Sequence, residues 1–86
     1  MILKRHKNFI KSFKKLDPRL KIKTVEILRD FQSNPFSPHL YNYALKGPLL
    51  GKRAIKVTSD LRIIFQQFDD YTLVIMLDLG THSQIY

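Results

Sequence analysis

"AIKVTSDLRIIF" (residues 54–65) decides the fold of this 86-residue chain. Ile55 and Val57 alternate with Ala54, Lys56 and Thr58; after Thr58-Ser59-Asp60, Leu61, Ile63 and Phe65 alternate with Arg62 and Ile64. A period of two marks a strand with one face buried, and the polar triplet is turn chemistry. Two strands joined so closely run antiparallel. Asp69-Asp70 turns the chain again, into a third strand-like run from Tyr71 to Leu79. The three runs make an antiparallel meander.

The same alternation places charge. If Ile55 and Val57 face the core, Lys56 faces away. With Leu61, Ile63 and Phe65 inward, Arg62 also faces away. Two cations then share one sheet face on neighbouring strands. They repel, and an anion such as phosphate relieves the repulsion. The plainer alternative is that water solvates both, since an antiparallel sheet tolerates one wet face.

Upstream, the period lengthens. Phe9, Ile10, Phe13 and Leu16 fall on one helical face, with Lys11, Lys14 and Lys15 on the rest. Asp17-Pro18 supplies an N-cap and a first-turn proline for a second helix. Its expected inward positions are Leu20, Val25, Leu28 and Phe31, with Ile22 and Ile27 at the margin. Ser33-Asn34-Pro35 stops it. The expected class is α+β: an N-terminal αα-hairpin packed on a twisted antiparallel sheet of three to four strands, with Met1–Lys7 readable as a short edge strand. Residues 34–52 form a long irregular connection rich in Pro, Gly and aromatic residues, and long connections in compact domains are often functional.

A chain this short is expected to be a single domain, 1–86, that buries roughly 60% of its unfolded surface. It has no Cys, so disulfides and thiolate metal sites are excluded. No early apolar run resembles a signal peptide and none reaches the ~20 residues that span a bilayer, so a cytoplasmic location is expected. The formal net charge of +8 is uneven. Residues 1–30 hold ten Lys/Arg against three Asp/Glu, while residues 31–86 hold five against four. Such asymmetry suits a polyanionic partner; a merely solvated helical face is the alternative.

No phosphate-binding glycine loop, nucleophile elbow or HExxH spacing occurs. His6, His39 and His82 lie far apart, so neither a metal nor a cofactor is expected. Lys56, Asp60, Arg62 and His82 remain, with tyrosines close by. That set suits RNA cleavage by internal 2′-hydroxyl attack, which needs a proton acceptor, a proton donor and cations for the phosphorane. Imidazole serves as acid or base near neutrality. The guanidinium fork matches phosphate oxygens. Each residue also has a bland explanation: a solvated tail histidine, a turn aspartate, surface cations.

The blocks "NPFSPHLYNYALKG" (34–47), "GKRAIKVTSDLRIIF" (51–65) and "DLGTHSQIY" (78–86), with the basic start "FIKSFKKL" (9–16), resemble the RelE/ParE superfamily of small bacterial toxins, nearest its YafQ-like branch. The resemblance spans the chain; "DLRIIF" and "GTHSQIY" are its most specific parts. It implies a toxin of a type II toxin–antitoxin pair that cleaves mRNA in the ribosomal A site without a metal. Its implied partners are the cognate antitoxin, the ribosome and mRNA. The implied catalytic set is His82 for proton transfer, Tyr86 to orient or stack on substrate, Asp60 to accept a proton or position His82, Arg62 on the scissile phosphate, and Lys56 on phosphorane charge. Lys11, Lys14, Lys15, Lys46, Lys52 and Arg53 are the candidates for RNA contacts. The chain departs from its relatives at Tyr43, where the branch commonly carries a histidine, so the general base stays open. A gyrase-poisoning ParE-like toxin and a weakened binding homologue are the alternatives.

Overall fold

The helices form where the period predicts them, and side chains close their ends. The computed structural model describes residues 1–85, without the side chains of His82 and Ile85. Strand β1 (Ile2–Arg5) leads into α1 (Lys7–Lys14), whose first turn is capped by His6 Nδ1 accepting from Asn8 N at 3.1 Å. Helix α2 (Pro18–Ser33) follows, with Asp17 Oδ1 accepting from Leu20 N at 3.0 Å and Pro18 in the first turn. An N-cap of this kind contributes about 1 kcal/mol.

The buried face of α2 differs from the expected one. Ile27 is 2% exposed and belongs to the core, whereas Val25 is 39% and Ile22 62% exposed. At about 100° per residue, Ile27 lies roughly 40° from Phe31 around the helix, Val25 about 120° and Ile22 about 180°. The position that hid this face is Thr24, which is polar yet fully buried. Its hydroxyl donates to Leu20 O at 2.7 Å, which meets its hydrogen-bonding requirement inside the helix.

The remaining strands are β2 (Tyr43–Ala44), β3 (Arg53–Lys56), β4 (Leu61–Phe68) and β5 (Leu73–Thr81); α3 (His82–Ile85) ends the described chain. The sheet order is β1-β5-β4-β3-β2, so there are five strands where three to four were expected. The sheet is also mixed, because β1 runs parallel to β5 with Ile2 opposite Leu73 and Arg5 opposite Met76. Backbone bonds such as Ile2 N to Thr72 O at 2.7 Å and His6 N to Met76 O at 2.8 Å hold β1 there. Backbone pairing on a mostly exposed edge leaves little side-chain pattern to read.

The meander itself has the expected sides. Ile55, Val57, Leu61, Ile63 and Phe65 join Phe9, Ile27 and Phe31 in the core between sheet and helices. A smaller apolar cluster, Leu45, Ala54 and Ile64, sits on the opposite face with Tyr43, Leu49 and Leu77 packed against it.

A bulge reconciles β5 with the two faces. Ile64 pairs with Asp78 but Phe65 pairs with Met76, so Leu77 is an extra residue. Strict alternation from Val74 and Met76 would carry the Asp78 carboxylate inward. The bulge turns Leu79 inward instead, where it is 3% exposed. Asp78 is left to accept from Ser12 Oγ at 3.2 Å and from Leu79 N at 2.7 Å. A one-residue shift of this kind exchanges faces for everything downstream, including Gly80.

The β4–β5 turn holds three successive non-glycine residues at positive φ: Asp69 at 54°, Asp70 at 50° and Tyr71 at 66°. Each costs about 1 kcal/mol or more. Offsetting contacts converge on Tyr71. Its N–H donates to Gln67 Oε1 at 2.9 Å, its hydroxyl accepts from Asn42 Nδ2 at 3.0 Å, and its ring packs near Phe31, Phe36 and Phe65.

Candidate functional site

The face of the sheet turned away from the helices carries the charged pair anticipated from alternation. Lys56 and Arg62 are direct cross-strand partners on β3 and β4. Directly opposed residues on one face have Cβ atoms about 4.5–5.5 Å apart, close enough for like charges to repel. Arg62 bends back so that Nη1 donates to Thr58 O and Leu61 O. Its Nε and Nη2 have no partner among the described residues. On the other flank of Arg62, the β5 partner is Gly80, which places no side chain beside the guanidinium.

Lys56 is held by an aromatic ring instead. Its ammonium lies over Tyr41, 5.0 Å from the ring centroid. It makes no hydrogen bond or ion pair with any described residue. Among the described residues the single ion pair within 4 Å is His39 Nε2 with Asp30 Oδ2 at 2.9 Å, on the exposed surface and far in sequence from this strand pair. Among the described residues, no carboxylate pairs with Lys56 or Arg62.

The other expected site residues divide between the two sides of the sheet. Tyr43 shares the open face, packed against Leu45, Ala54 and Ile64. Lys52 lines a shallow groove there with His6, Leu49, Ile64, Leu77 and Asp78. Asp60 does not join them. It lines a cleft of about 450 Å³ beneath the β3–β4 hairpin, with Ser12 and Lys15 of the first helix and Gln84 of the last. Gln84 itself is tied to the strand end, its Oε1 accepting from Thr81 N at 2.8 Å. Lys11 and Lys14 are exposed on α1, and Lys46 is exposed at the start of a 3₁₀ turn, Gly47–Leu49.

Arg53 is tied to the long connection. Its Nε donates to Asn42 Oδ1 at 2.7 Å and its guanidinium lies over Phe36 at 5.9 Å. Asn42 in turn donates to Pro35 O at 3.0 Å and to the Tyr71 hydroxyl. This network fixes the long connection against β3. His82 opens α3 directly after β5, and both its side chain and the whole of Tyr86 lie outside the described residues. No group of three or more His, Cys, Asp or Glu among the described residues is arranged to hold a metal ion. No described helix is long and apolar enough to cross a membrane.

No protein-family model and no curated protein matches this sequence. Solved structures do match. A YoeB/ParE toxin from Agrobacterium tumefaciens superposes with a TM-score of 0.79 at 18% identity, covering 95% of this chain and 99% of that one. A metal-bound toxin from Helicobacter pylori is 25% identical, with a TM-score of 0.73 over 100% of this chain and 99% of its own. The DinJ–YafQ complex from E. coli matches with a TM-score of 0.71 at 20% identity, covering 98% of this chain and 96% of that chain. The chain shares the fold of these toxins.

Within this fold, three residues of the open face escaped the sequence reading. Tyr41 sits under Lys56, Gly80 flanks Arg62, and Asp78 is displaced by the bulge. Gly80 and Asp78 needed the β5 register, which a strand pattern alone does not supply. Tyr41 carried a weak signal: an aromatic between Leu40 and Asn42, in a connection otherwise marked by turn residues.

Proposed function

We propose that this chain is the toxin of a type II toxin–antitoxin pair and that it acts as a ribosome-dependent mRNA endoribonuclease. The observation that carries the proposal is the Lys56–Arg62 pair on the open sheet face, with no carboxylate partner among the described residues and with Gly80 beside it. Two like charges held this way are stabilised by a bound phosphate. The RelE/ParE fold, shared with YafQ solved as a complex with DinJ, supports the toxin class and an antitoxin partner.

In this mechanism the 2′-hydroxyl loses its proton to a water molecule and attacks the adjacent phosphorus, forming a 2′,3′-cyclic phosphate as the bond to the 5′-oxygen breaks. Arg62 binds the scissile phosphate through its unoccupied guanidinium nitrogens, and Lys56 neutralises charge as the phosphorane forms. His82 transfers a proton, as general acid to the 5′-oxygen. Tyr86 orients or stacks on the substrate, and Tyr43 hydrogen-bonds the 2′-hydroxyl. Asp60, in the cleft on the helix side, positions the tail that carries His82. Lys46 and Lys52 contribute contacts to the RNA backbone on the open face, and Lys11, Lys14 and Lys15 extend the basic surface over α1 toward ribosomal RNA.

An in vitro translation reaction with primer extension on the mRNA tests this. The wild type produces cuts within codons that require ribosomes. Arg62→Ala and His82→Ala abolish them while the proteins stay folded and still bind antitoxin. Intact mRNA with the wild type, together with gyrase-dependent DNA breaks, would replace the nuclease by a gyrase poison. Intact mRNA without such breaks would leave a binding homologue.

A further inference from the structure

Tyr41 is 63% exposed, yet it is not placed as a loose surface residue. It closes the 3₁₀ turn Pro38–Leu40 in the left-handed region, at φ 48° and ψ 51°, with its N–H donating to Pro38 O at 3.2 Å. Glycine and asparagine are the residues at ease in such a cap, because a Cβ is strained there. The chain keeps a tyrosine instead and directs its ring toward β3. The ring has no aromatic neighbour and its hydroxyl has no hydrogen bond among the described residues. Its one described ring interaction is with the Lys56 ammonium, 5.0 Å from the centroid.

Two other aromatics of the connection show what a structural ring looks like here. Tyr43 packs on Leu45, Ala54 and Ile64. Phe36, though 57% exposed, sets its edge against Tyr71 at 5.3 Å and carries Arg53, which is anchored by Asn42. Tyr41 has neither kind of support. What it offers is an exposed ring at the end of the Lys56–Arg62 pair, with the Lys56 ammonium over it.

We propose that Tyr41 is the stacking platform for one unpaired nucleobase whose flanking phosphate lies on Lys56 and Arg62. The proposal rests on the RNA-cleaving function above and adds a base subsite to it. Single-stranded nucleic acid is held by this combination, an aromatic face for the base and neighbouring cations for the backbone. The ammonium already over the ring turns to the phosphate as the base arrives. Because every base has a π-face, Tyr41 supplies affinity and register rather than sequence preference.

The test uses the full chain and a short single-stranded oligoribonucleotide containing one 2-aminopurine, whose fluorescence is quenched when it stacks. Wild type and Tyr41→Phe quench it. Tyr41→Asn, which suits the left-handed cap and so melts no lower than wild type, loses the quenching and binds about tenfold more weakly. Its salt dependence is unchanged, since no phosphate contact is lost. Lys56→Gln keeps the quenching and lowers the salt slope by about 0.7, the value for one single-strand phosphate contact. Equal quenching by wild type and Tyr41→Asn overturns the base subsite while leaving the nuclease function standing. Failure of the wild type to engage RNA, free or on the ribosome, overturns the nuclease function itself. If Tyr41→Asn melts lower, Tyr41→Leu gives the same comparison, since it keeps the bulk without the π-face.

Discussion

Strand β3 has a cation lying over an aromatic ring at each end, and the two pairs are built differently. At its start, Arg53 covers Phe36, but Arg53 is also bonded to Asn42, and Phe36 leans on Tyr71. At its end, Lys56 covers Tyr41, and neither has another side-chain partner among the described residues. The first pair closes a network running from the long connection into the aromatic core. The second stands on the open face beside Arg62. Arg53 was grouped from sequence with the RNA-contacting cations; in the structure its Nε is bonded to Asn42 and its guanidinium lies over Phe36. Equal charge and similar distance from an aromatic residue did not distinguish the two; the partners of each cation do.

The contrast can be broken in stability measurements. Phe31 lies beneath the locked pair, fully buried, with its ring edge-on to Phe65 at 4.9 Å and to Tyr71 at 6.1 Å. Phe31→Ala is expected to cost about 3–5 kcal/mol in urea unfolding. A loss below about 1 kcal/mol would mean the aromatic cluster does not support the connection.

Asn42→Ala removes the hub that joins Arg53, Pro35 and Tyr71, and leaves half-buried polar groups without partners. The expected loss is about 2 kcal/mol. Wild-type stability in this variant would show that the network is replaced by water at no cost.

Asp70→Gly acts in the opposite direction. Relief of a left-handed backbone at φ 50° is expected to raise stability by about 0.5–1 kcal/mol, partly cancelled by the greater freedom of glycine in the unfolded chain. A lower melting temperature would indicate that the Asp70 side chain stabilises the turn in another way.

The smallest effect belongs to the loose pair. Lys56→Gln is expected to change stability by less than about 0.5 kcal/mol, because a solvated cation over an exposed ring contributes little. A loss near that of Asn42→Ala would place both pairs in the same structural class and end the contrast.

Much of this fold could be read from residue patterns. The meander, its two faces and the pairing of Lys56 with Arg62 follow from alternation at Ile55, Val57, Leu61, Ile63 and Phe65. The helix boundary at Asp17-Pro18 follows from capping chemistry. The buried face of α2 was misjudged because Thr24 is polar by type yet meets its hydrogen-bonding requirement internally, so its burial leaves no mark on a hydrophobic period. The parallel edge strand was only half legible, because backbone pairing on an exposed edge asks little of side chains. Of the candidate site, the cation pair was legible and Tyr41 was not. Asp60 lines the cleft beneath the β3–β4 hairpin together with Ser12, Lys15 and Gly80, a grouping of distant residues that alternation along one strand does not record.

By itself, then, the sequence determined which residues alternate, where the helices begin, and that the chain carries a basic surface with two cations on one sheet face. These are local properties, set by the period of side-chain direction along each element and by capping groups a few residues away. The tertiary structure alone decided the register of β5, the bulge that turns Asp78 out and brings Gly80 against Arg62, and which of two similar cations is fastened and which is open. Those depend on contacts between residues far apart in the chain, such as Ser12 with Asp78 or Asn42 with Tyr71, and a local pattern carries no record of them.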